Sequence, residues 1–137
     1  MSLQVGDRSS VTRTFSSGDV AAFGELTGDL NPLHFDEGFA ASTRFGRPIV
    51  HGMLTAGLIS AAMTALGAPV AYVGQDLRFT APVFPGDTVT ATAEVIEVKA
   101  GRPIAVVRTT CVKQTGQVVV EGTGALLLLA PAPHPNP

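Results

Sequence analysis

The chain has 137 residues, of which 45% are hydrophobic and 15% charged, with a formal net charge of -2 at pH 7. This length fits one domain with a sizeable apolar core, and the scattered basic residues exclude an electrostatic case for binding nucleic acid. The single cysteine excludes an internal disulfide, so we expect a reducing, cytoplasmic compartment.

The N-terminal third is predicted to contain one strand and two helices. A strand near Ser10 to Phe15 is expected to complete a sheet formed mainly by later strands. Ser16 followed by Asp19 is typical of a helix start, because an N-cap hydroxyl pairs with an acid three residues on. This helix is expected to end at Gly28, which can adopt the positive φ of a helix stop. Residues 36–41 predict a second, short helix.

The run from Thr27 to His34 is the most informative segment of the chain. Pro32 restricts the residue before it to extended conformations, so the run is predicted to form a rigid turn and not a regular helix. It holds Asp29 and His34, five residues apart, by backbone geometry. A carboxylate and an imidazole aimed at one point suit acid–base work on a water molecule. The alternative is a plain surface turn, because Gly, Asp, Asn and Pro are all turn formers.

The third predicted helix is the main one and runs from about His51 to Leu66, with Gly67 as its stop signal. It is apolar on nearly every side, which predicts a central helix packed on more than one side. The apolar segment Met53–Leu66 has 14 residues. A helix needs about 20 to span a bilayer, so no contact with a membrane is expected.

The second half of the chain has the pattern of a sheet. Four strands are predicted: Val70–Phe79, Thr88–Val98, Ile104–Lys113 and Val118–Leu129. The alternation of residues 88–95 reverses its phase at residues 96–98, which indicates a bulge. Short turns join the strands and favour antiparallel pairing. A curved antiparallel sheet wrapped around one long helix is an α+β hot-dog fold, expected over residues 1–130 with a disordered Pro-rich tail at 131–137.

Several motifs resemble those of a known family. The run FGELTGDLNPLH at residues 23–34 resembles the signature of the R-specific enoyl-CoA hydratases, in the MaoC-like dehydratase group. The likeness continues through RPIVHGM at 47–53, LRF at 77–79 and PVFPGD at 82–87. It covers nearly the whole chain apart from the tail. The Asp-x-Asn-Pro-x-His element is specific, whereas hot-dog proteins of several functions share the later motifs.

The resemblance implies reversible addition of water to a trans-2-enoyl-CoA, giving the R-3-hydroxyacyl-CoA, in a homodimer that uses no metal or redox cofactor. Asp29 is then the candidate base, and its burial is expected to raise its pKa toward neutrality. His34 is expected to bind the same water. The backbone N–H of Gly52, at the start of the central helix, is the expected stabiliser of the enolate oxygen. Asn31 is expected to hold the turn through its side chain.

Four further residues are candidates for substrate binding, and each has a plainer alternative. Ser60 resembles a serine that bonds the catalytic carboxylate in the family, or else it bonds its own helix carbonyl. Met63 and Leu128 are candidate walls of an acyl slot, or else plain core residues. Arg78 is a candidate cation for a CoA phosphate, or else a solvated strand residue.

His51 is interpreted as structural, with a bond to backbone near the active site. No metal site is expected, because His34 and His51 lie on different predicted elements and His134 lies in the tail. Two rival functions stay open. A hot-dog acyl-CoA thioesterase would use the same fold and helix-start amide with a differently placed carboxylate. A non-catalytic acyl-binding subunit should lack the acid–base pair.

Overall fold

The computed structural model describes residues 2–129. The tail predicted at residues 131–137, with His134, therefore lies outside the described residues. Four helices are described: α1 (Ser17–Thr27), α2 (Pro32–Phe35), α3 (Glu37–Ala41) and α4 (Gly52–Ala65). Six strands are described: β1 (Arg8–Thr14), β2 (Val70–Gln75), β3 (Arg78–Phe79), β4 (Thr88–Val98), β5 (Ile104–Lys113) and β6 (Val118–Leu128).

Helix α1 begins and ends where the sequence predicts. The Ser16 hydroxyl accepts a hydrogen bond from the Asp19 amide at 3.1 Å, and the Asp19 carboxylate accepts one from the Ser16 amide at 3.0 Å. This reciprocal pairing satisfies two amides that a helix start would otherwise leave free. At the other end, Gly28 adopts φ 81° and donates to the Gly24 carbonyl at 2.8 Å.

The prediction that the run from Thr27 to His34 forms a rigid turn and not a regular helix is wrong for its last three residues, 32–34. Pro32 is the first residue of α2, a single helical turn, and Asn31 is its N-cap. Proline suits this position, because the N–H of the first helical residue has no acceptor within the helix and the fixed φ of proline is close to the helical value. Residues 28–31 do form a non-helical connection, so the rigid segment is a turn followed by one helical turn.

The strands form one antiparallel sheet in the order β1-β4-β5-β6-β2, and β3 pairs with β6. The predicted bulge is present, because the register between β4 and β5 shifts between Val95 and Glu97. The predicted bounds of β4 and β5 are confirmed, and β6 ends one residue early.

The strand predicted at Val70–Phe79 is wrong in one respect, because it is divided into β2 and β3 at Asp76. There the chain passes so close to Gly122 that a Cβ on that glycine would lie 2.0 Å from the Asp76 carbonyl oxygen. The Asp76 carboxylate takes over part of the pairing by accepting from the Thr123 amide at 3.1 Å.

Helix α4 packs one face on the concave side of the sheet, chiefly against β1 and β4. Its buried positions on that face are Thr55, Ala56, Ile59, Ala62 and Met63. They meet alternate residues of β4, all buried: Val89, Ala91, Ala93 and Val95. In the part of the chain described, no helix is long and apolar enough to cross a membrane.

The prediction that α4 is packed on more than one side does not hold within the single chain. Its outer face is exposed and comprises Met53, Gly57, Ser60, Ala61 and Thr64. The sheet curls around one side of the helix only. The apolar and small residues of the outer face are consequently left on the surface.

Candidate active site

Asp29 lies in the connection that follows α1. Its carboxylate Oδ1 accepts a hydrogen bond from the Asn31 amide at 3.3 Å, and its own amide donates to the Thr27 hydroxyl at 3.2 Å. Its backbone carbonyl accepts from His51 Nε2 at 2.9 Å. The backbone is therefore held from both sides, while the side chain is exposed. The burial that the sequence analysis expected for Asp29 is not provided by this chain alone.

Asn31 orients the turn that carries His34. Its side-chain oxygen accepts a hydrogen bond from the Leu33 amide at 3.0 Å, which confirms its predicted role as the group that holds the turn. His34 then lies in α2, with Nδ1 2.8 Å from the Ile49 carbonyl oxygen. A carbonyl only accepts, so Nδ1 carries the proton. In the neutral ring, Nε2 is left with a free lone pair.

His51 stands immediately before α4 and is 1% exposed. Its bond to the Asp29 carbonyl confirms the expectation that it contacts backbone near the site. Its ring stacks on His34, with ring centroids 3.9 Å apart and planes 29° from parallel. Phe23 and Phe35 pack on it from other directions. Among residues 2–129, no group pairs with its second nitrogen, Nδ1.

Gly52 is the first residue of α4, beside these side chains. The amides of Leu54 and Thr55 bond to the His51 carbonyl, whereas the Gly52 amide has no backbone acceptor among the described residues. A free amide at a helix start favours negative charge. The ring of Phe79 lies so close that a Cβ on residue 52 would be 2.6 Å from it. Only glycine fits here without moving that ring.

Asp29, His34 and Gly52 open onto one cavity of about 310 Å³. The three predicted residues are thus brought together by the fold. The remaining wall is mostly apolar and includes Phe45, Ile49, Val50, Met53, Phe79, Ala81, Pro82, Val83, Val119 and Val120. Arg44 is the cation of the wall, and Thr55 contributes a buried hydroxyl without a partner in the described chain.

The surroundings of His34 favour its neutral form. Burial of the ring lowers its pKa, and the nearby His51 ring acts in the same direction. The bond to the Ile49 carbonyl and the carboxylate of Asp29 oppose this effect, but the pKa remains lowered. At neutral pH the Nε2 lone pair is therefore available to accept a proton.

A metal site was not expected because His34 and His51 lie on different predicted elements. That reason is wrong, since the fold brings both histidines together with Asp29. One ligand atom from each of the three lies within 4.8 Å of the others. One nitrogen of each ring is already bonded to a backbone carbonyl, His34 Nδ1 to Ile49 and His51 Nε2 to Asp29. The other nitrogen of each ring and the Asp29 carboxylate remain for a bound water or an ion. The expectation that no metal binds here stays a prediction.

The other four predicted residues do not line this cavity. Ser60 is exposed on the outer face of α4, and no hydrogen bond between Ser60 and Asp29 is present in the described chain. Met63 is fully buried in the core, and Leu128 packs against that core from β6. Arg78 lies in a separate polar cleft of the sheet, together with Arg108 and Glu121. Their predicted roles stay predictions.

Three supporting residues were missed by the sequence analysis. Gly24, in α1, allows close packing of the Phe35 ring, which would lie 2.6 Å from a Cβ there. A glycine inside a helix costs about 1 kcal/mol relative to alanine, and that cost could have marked it as a close contact. Phe79 belongs to the LRF motif at residues 77–79, but neither Phe79 nor Arg44 has a local signal that places it at the cavity, because only the tertiary fold brings them there.

Comparisons with known proteins agree with the fold described above. The family description "MaoC like domain" matches residues 4–117. The (R)-specific enoyl-CoA hydratase of Aeromonas caviae is 44% identical over 129 residues, which cover 93% of this chain and 96% of that protein. The 3-hydroxybutyryl-CoA dehydratase of Methylorubrum extorquens is 46% identical over 122 residues, covering 88% of this chain and 77% of that protein.

A solved structure agrees in fold over the same extent. The structure described as the (R)-hydratase from A. caviae involved in PHA biosynthesis aligns with a TM-score of 0.88 at 44% identity. The alignment covers 94% of this chain and 99% of that chain. The hot-dog fold predicted from the sequence is therefore confirmed.

Proposed function

This chain belongs to the MaoC-like domain family, and on that premise we propose that it is an R-specific enoyl-CoA hydratase. It adds water reversibly across the double bond of a trans-2-enoyl-CoA and so acts as a hydro-lyase. We further propose that it works in the cytoplasm as a homodimer. The observation that carries the proposal is the meeting of Asp29, His34 and the Gly52 amide at one apolar cavity.

The nucleophilic water is proposed to lie between Asp29 and His34. One ring nitrogen of His34 and one carboxylate oxygen of Asp29 are no more than 4.8 Å apart. Two hydrogen bonds of about 2.8 Å span up to about 5.5 Å, so one water can contact both groups. His34 Nε2 and the Asp29 carboxylate both accept, which leaves the water oxygen with its lone pairs free to attack C3. Each well-placed group of this kind contributes roughly 10²–10⁴ in rate.

The negative charge that develops on the thioester oxygen is proposed to be stabilised by the Gly52 amide. Attack at C3 moves the electrons of the double bond toward C1 and gives an enolate. A proton returned to C2 by the Asp29–His34 pair then completes the addition of one water. A preorganised donor in a water-excluded site typically contributes about 10²–10³. The apolar wall around Val50, Phe79 and Val83 supplies such surroundings.

The cavity is proposed to hold the thioester and the first carbons of the acyl chain. Longer chains are proposed to reach toward Met63 and Leu128, as the sequence analysis expected. Arg44 joins Arg78 as a proposed cation for the phosphates of the carrier, because Arg44 lines the cavity itself. Ser60 stays a proposed partner of Asp29.

A homodimer is supported by the surface beside the site. Leu26, Leu30 and Met53 are 86%, 65% and 58% exposed. Contiguous apolar patches on a soluble protein commonly mark an interaction surface. A second protomer on this surface would cover Asp29 and exclude solvent from the reacting water. Sedimentation of the purified protein tests this proposal, and a monomer at micromolar concentration would refute it.

The reaction itself is tested with crotonyl-CoA. We expect rapid loss of the enoyl-thioester absorbance and formation of R-3-hydroxybutyryl-CoA, identified by chiral analysis. Loss of absorbance only with longer enoyl-CoAs would support the same reaction with a larger acyl slot. No loss with any enoyl-CoA from a folded protein would refute the proposed function. Release of free thiol from a saturated acyl-CoA would instead favour a thioesterase.

A further inference from the structure

His51 contacts both residues of the proposed acid–base pair. Its Nε2 donates to the Asp29 carbonyl at 2.9 Å, and its ring stacks on His34 with centroids 3.9 Å apart. Asp29 and His34 themselves lie on either side of the turn and share no direct hydrogen bond in the described chain. His51 is therefore the side chain that connects the two, and it also stands next to Gly52 in the chain.

A purely structural role does not account for an imidazole at this position. Its Nδ1 is buried without a partner in residues 2–129. A buried acceptor left unpaired costs about 1–3 kcal/mol, and native proteins retain few of them. A phenylalanine would fill the space between Phe23, Phe35 and His34 without that cost. The ring and the Nε2–H donor together are what only histidine provides here.

We propose that His51 is a positioning residue for the hydration reaction: it fixes the Asp29 backbone and the plane of the His34 ring together, so that one water contacts both. This inference rests on the proposed function. A displacement of about 1 Å in such a pair can cost roughly 10² in rate. The position of the His34 ring is fixed by two contacts: a hydrogen bond from its edge to the Ile49 carbonyl and the stacked His51 ring on its face.

The stack also bears on the charge of His34. The nearby His51 ring lowers the pKa of His34, so it disfavours the protonated form of its neighbour. Among residues 2–129, the charged groups that share the cavity with His34 are Asp29, from the connection after α1, and Arg44. When His51 is replaced, burial and these two groups still act on the pKa of His34, but the effect of the second ring is lost. The pKa of His34 should therefore rise.

Two substitutions separate the two contacts of His51. His51→Gln keeps an N–H donor for the Asp29 carbonyl but loses the stacked ring. His51→Phe keeps a stacked ring but loses the donor. Ile59→Val, in the buried face of α4 and away from the site, is the control for lost stability alone and should keep kcat. Thermal unfolding identifies the variants that are folded at the assay temperature.

We expect both His51 variants to lose about 10² in kcat with little change in KM, because the geometry is disturbed and not the binding surface. The acid limb of the pH profile should move to higher pH in both. NMR titration of the His34 ring, which needs no activity, should show a raised pKa in His51→Gln. Folded variants with wild-type kcat would overturn the proposal, and an unmoved His34 titration would show that His51 does not lower the pKa of that ring.

The failure of this inference differs from failure of the proposed function. If the wild-type protein hydrates enoyl-CoA and the His51 variants do so equally well, only the positioning role falls. If the wild-type protein hydrates no enoyl-CoA, the proposed function falls and the positioning role in hydration falls with it. The NMR titration then shows only whether His51 lowers the pKa of His34.

Discussion

Replacement of Gly52 by alanine tests whether the start of α4 holds the thioester oxygen. An ideal Cβ at residue 52 lies 2.6 Å from Phe79 Cδ1 and 2.7 Å from Cε1. Carbon atoms without a bond between them pack at about 3.5–4.0 Å. The Phe79 ring must therefore retreat by about 1 Å, and the new methyl group occupies space beside the Gly52 amide.

The expected effects on stability and on catalysis differ in size. Phe79 is 53% exposed, so its ring can swing outward. The cost in stability should be near the lower end for overpacking, about 1 kcal/mol, and alanine offsets part of it as a better helix former. Loss of access to an oxyanion donor typically costs about 10²–10³. We therefore predict that Gly52→Ala lowers kcat/KM by about 10²–10³ with little change in Tm.

The assay compares kcat/KM for crotonyl-CoA and Tm in the wild-type protein, Gly52→Ala and Gly57→Ala. Gly57 lies in the same helix, and nothing lies within 4 Å of a Cβ built on it. Its alanine variant should gain up to about 1 kcal/mol in stability and keep its activity. If Gly52→Ala retained wild-type kcat/KM, the assignment of the thioester oxygen to the helix start would be refuted.

Four further predictions concern the surroundings of His34, Thr55 and Cys111. Burial lowers the pKa of His34, so the acid limb of kcat/KM should lie below the usual imidazole pKa of about 6.5; an acid limb above that value would contradict the neutral His34. The unfolded chain binds the His34 proton more readily than the folded chain does. The contribution of His34 to the free energy of unfolding should therefore be complete above pH about 6.5 and decline as the pH falls through the lowered pKa. Chemical denaturation at several pH values can measure this decline. Thr55→Val removes a buried hydroxyl without a partner in the described chain, so the free energy of unfolding should rise by about 1 kcal/mol; a fall in stability would reveal a partner for that hydroxyl. Burial raises the pKa of the Cys111 thiol to about 12, so a thiol-specific reagent at pH 8 should label it only after unfolding, and rapid labelling of the folded protein would contradict its burial.

The sheet could be predicted well because its pattern is local. Alternation with a period of two identifies the buried face of β4 from its own residues, and the reversal at residues 96–98 identifies the bulge. The division between β2 and β3 could not be predicted in this way. It arises where Asp76 passes over Gly122, a contact between segments far apart in sequence.

The site could be predicted only in part, for a related reason. Asp29 and His34 belong to one short segment, and backbone restrictions within that segment bring them together. His51 joins them through tertiary packing, which is why a meeting of the two histidines was not expected. Ser60 and Met63 lie on a helix that is apolar on nearly every side, so periodicity could not distinguish its inner face from its outer face.

The central claim is that Asp29 and His34 together activate water for addition to an enoyl thioester. The most direct test is the rate of crotonyl-CoA hydration by the wild-type protein and by Asp29→Asn, which keeps the size of the side chain and removes its charge. Our account predicts rapid hydration to the R product by the wild type and a loss of roughly 10²–10⁴ in kcat for the variant at unchanged Tm. A folded Asp29→Asn protein that hydrates crotonyl-CoA at the wild-type rate would contradict it.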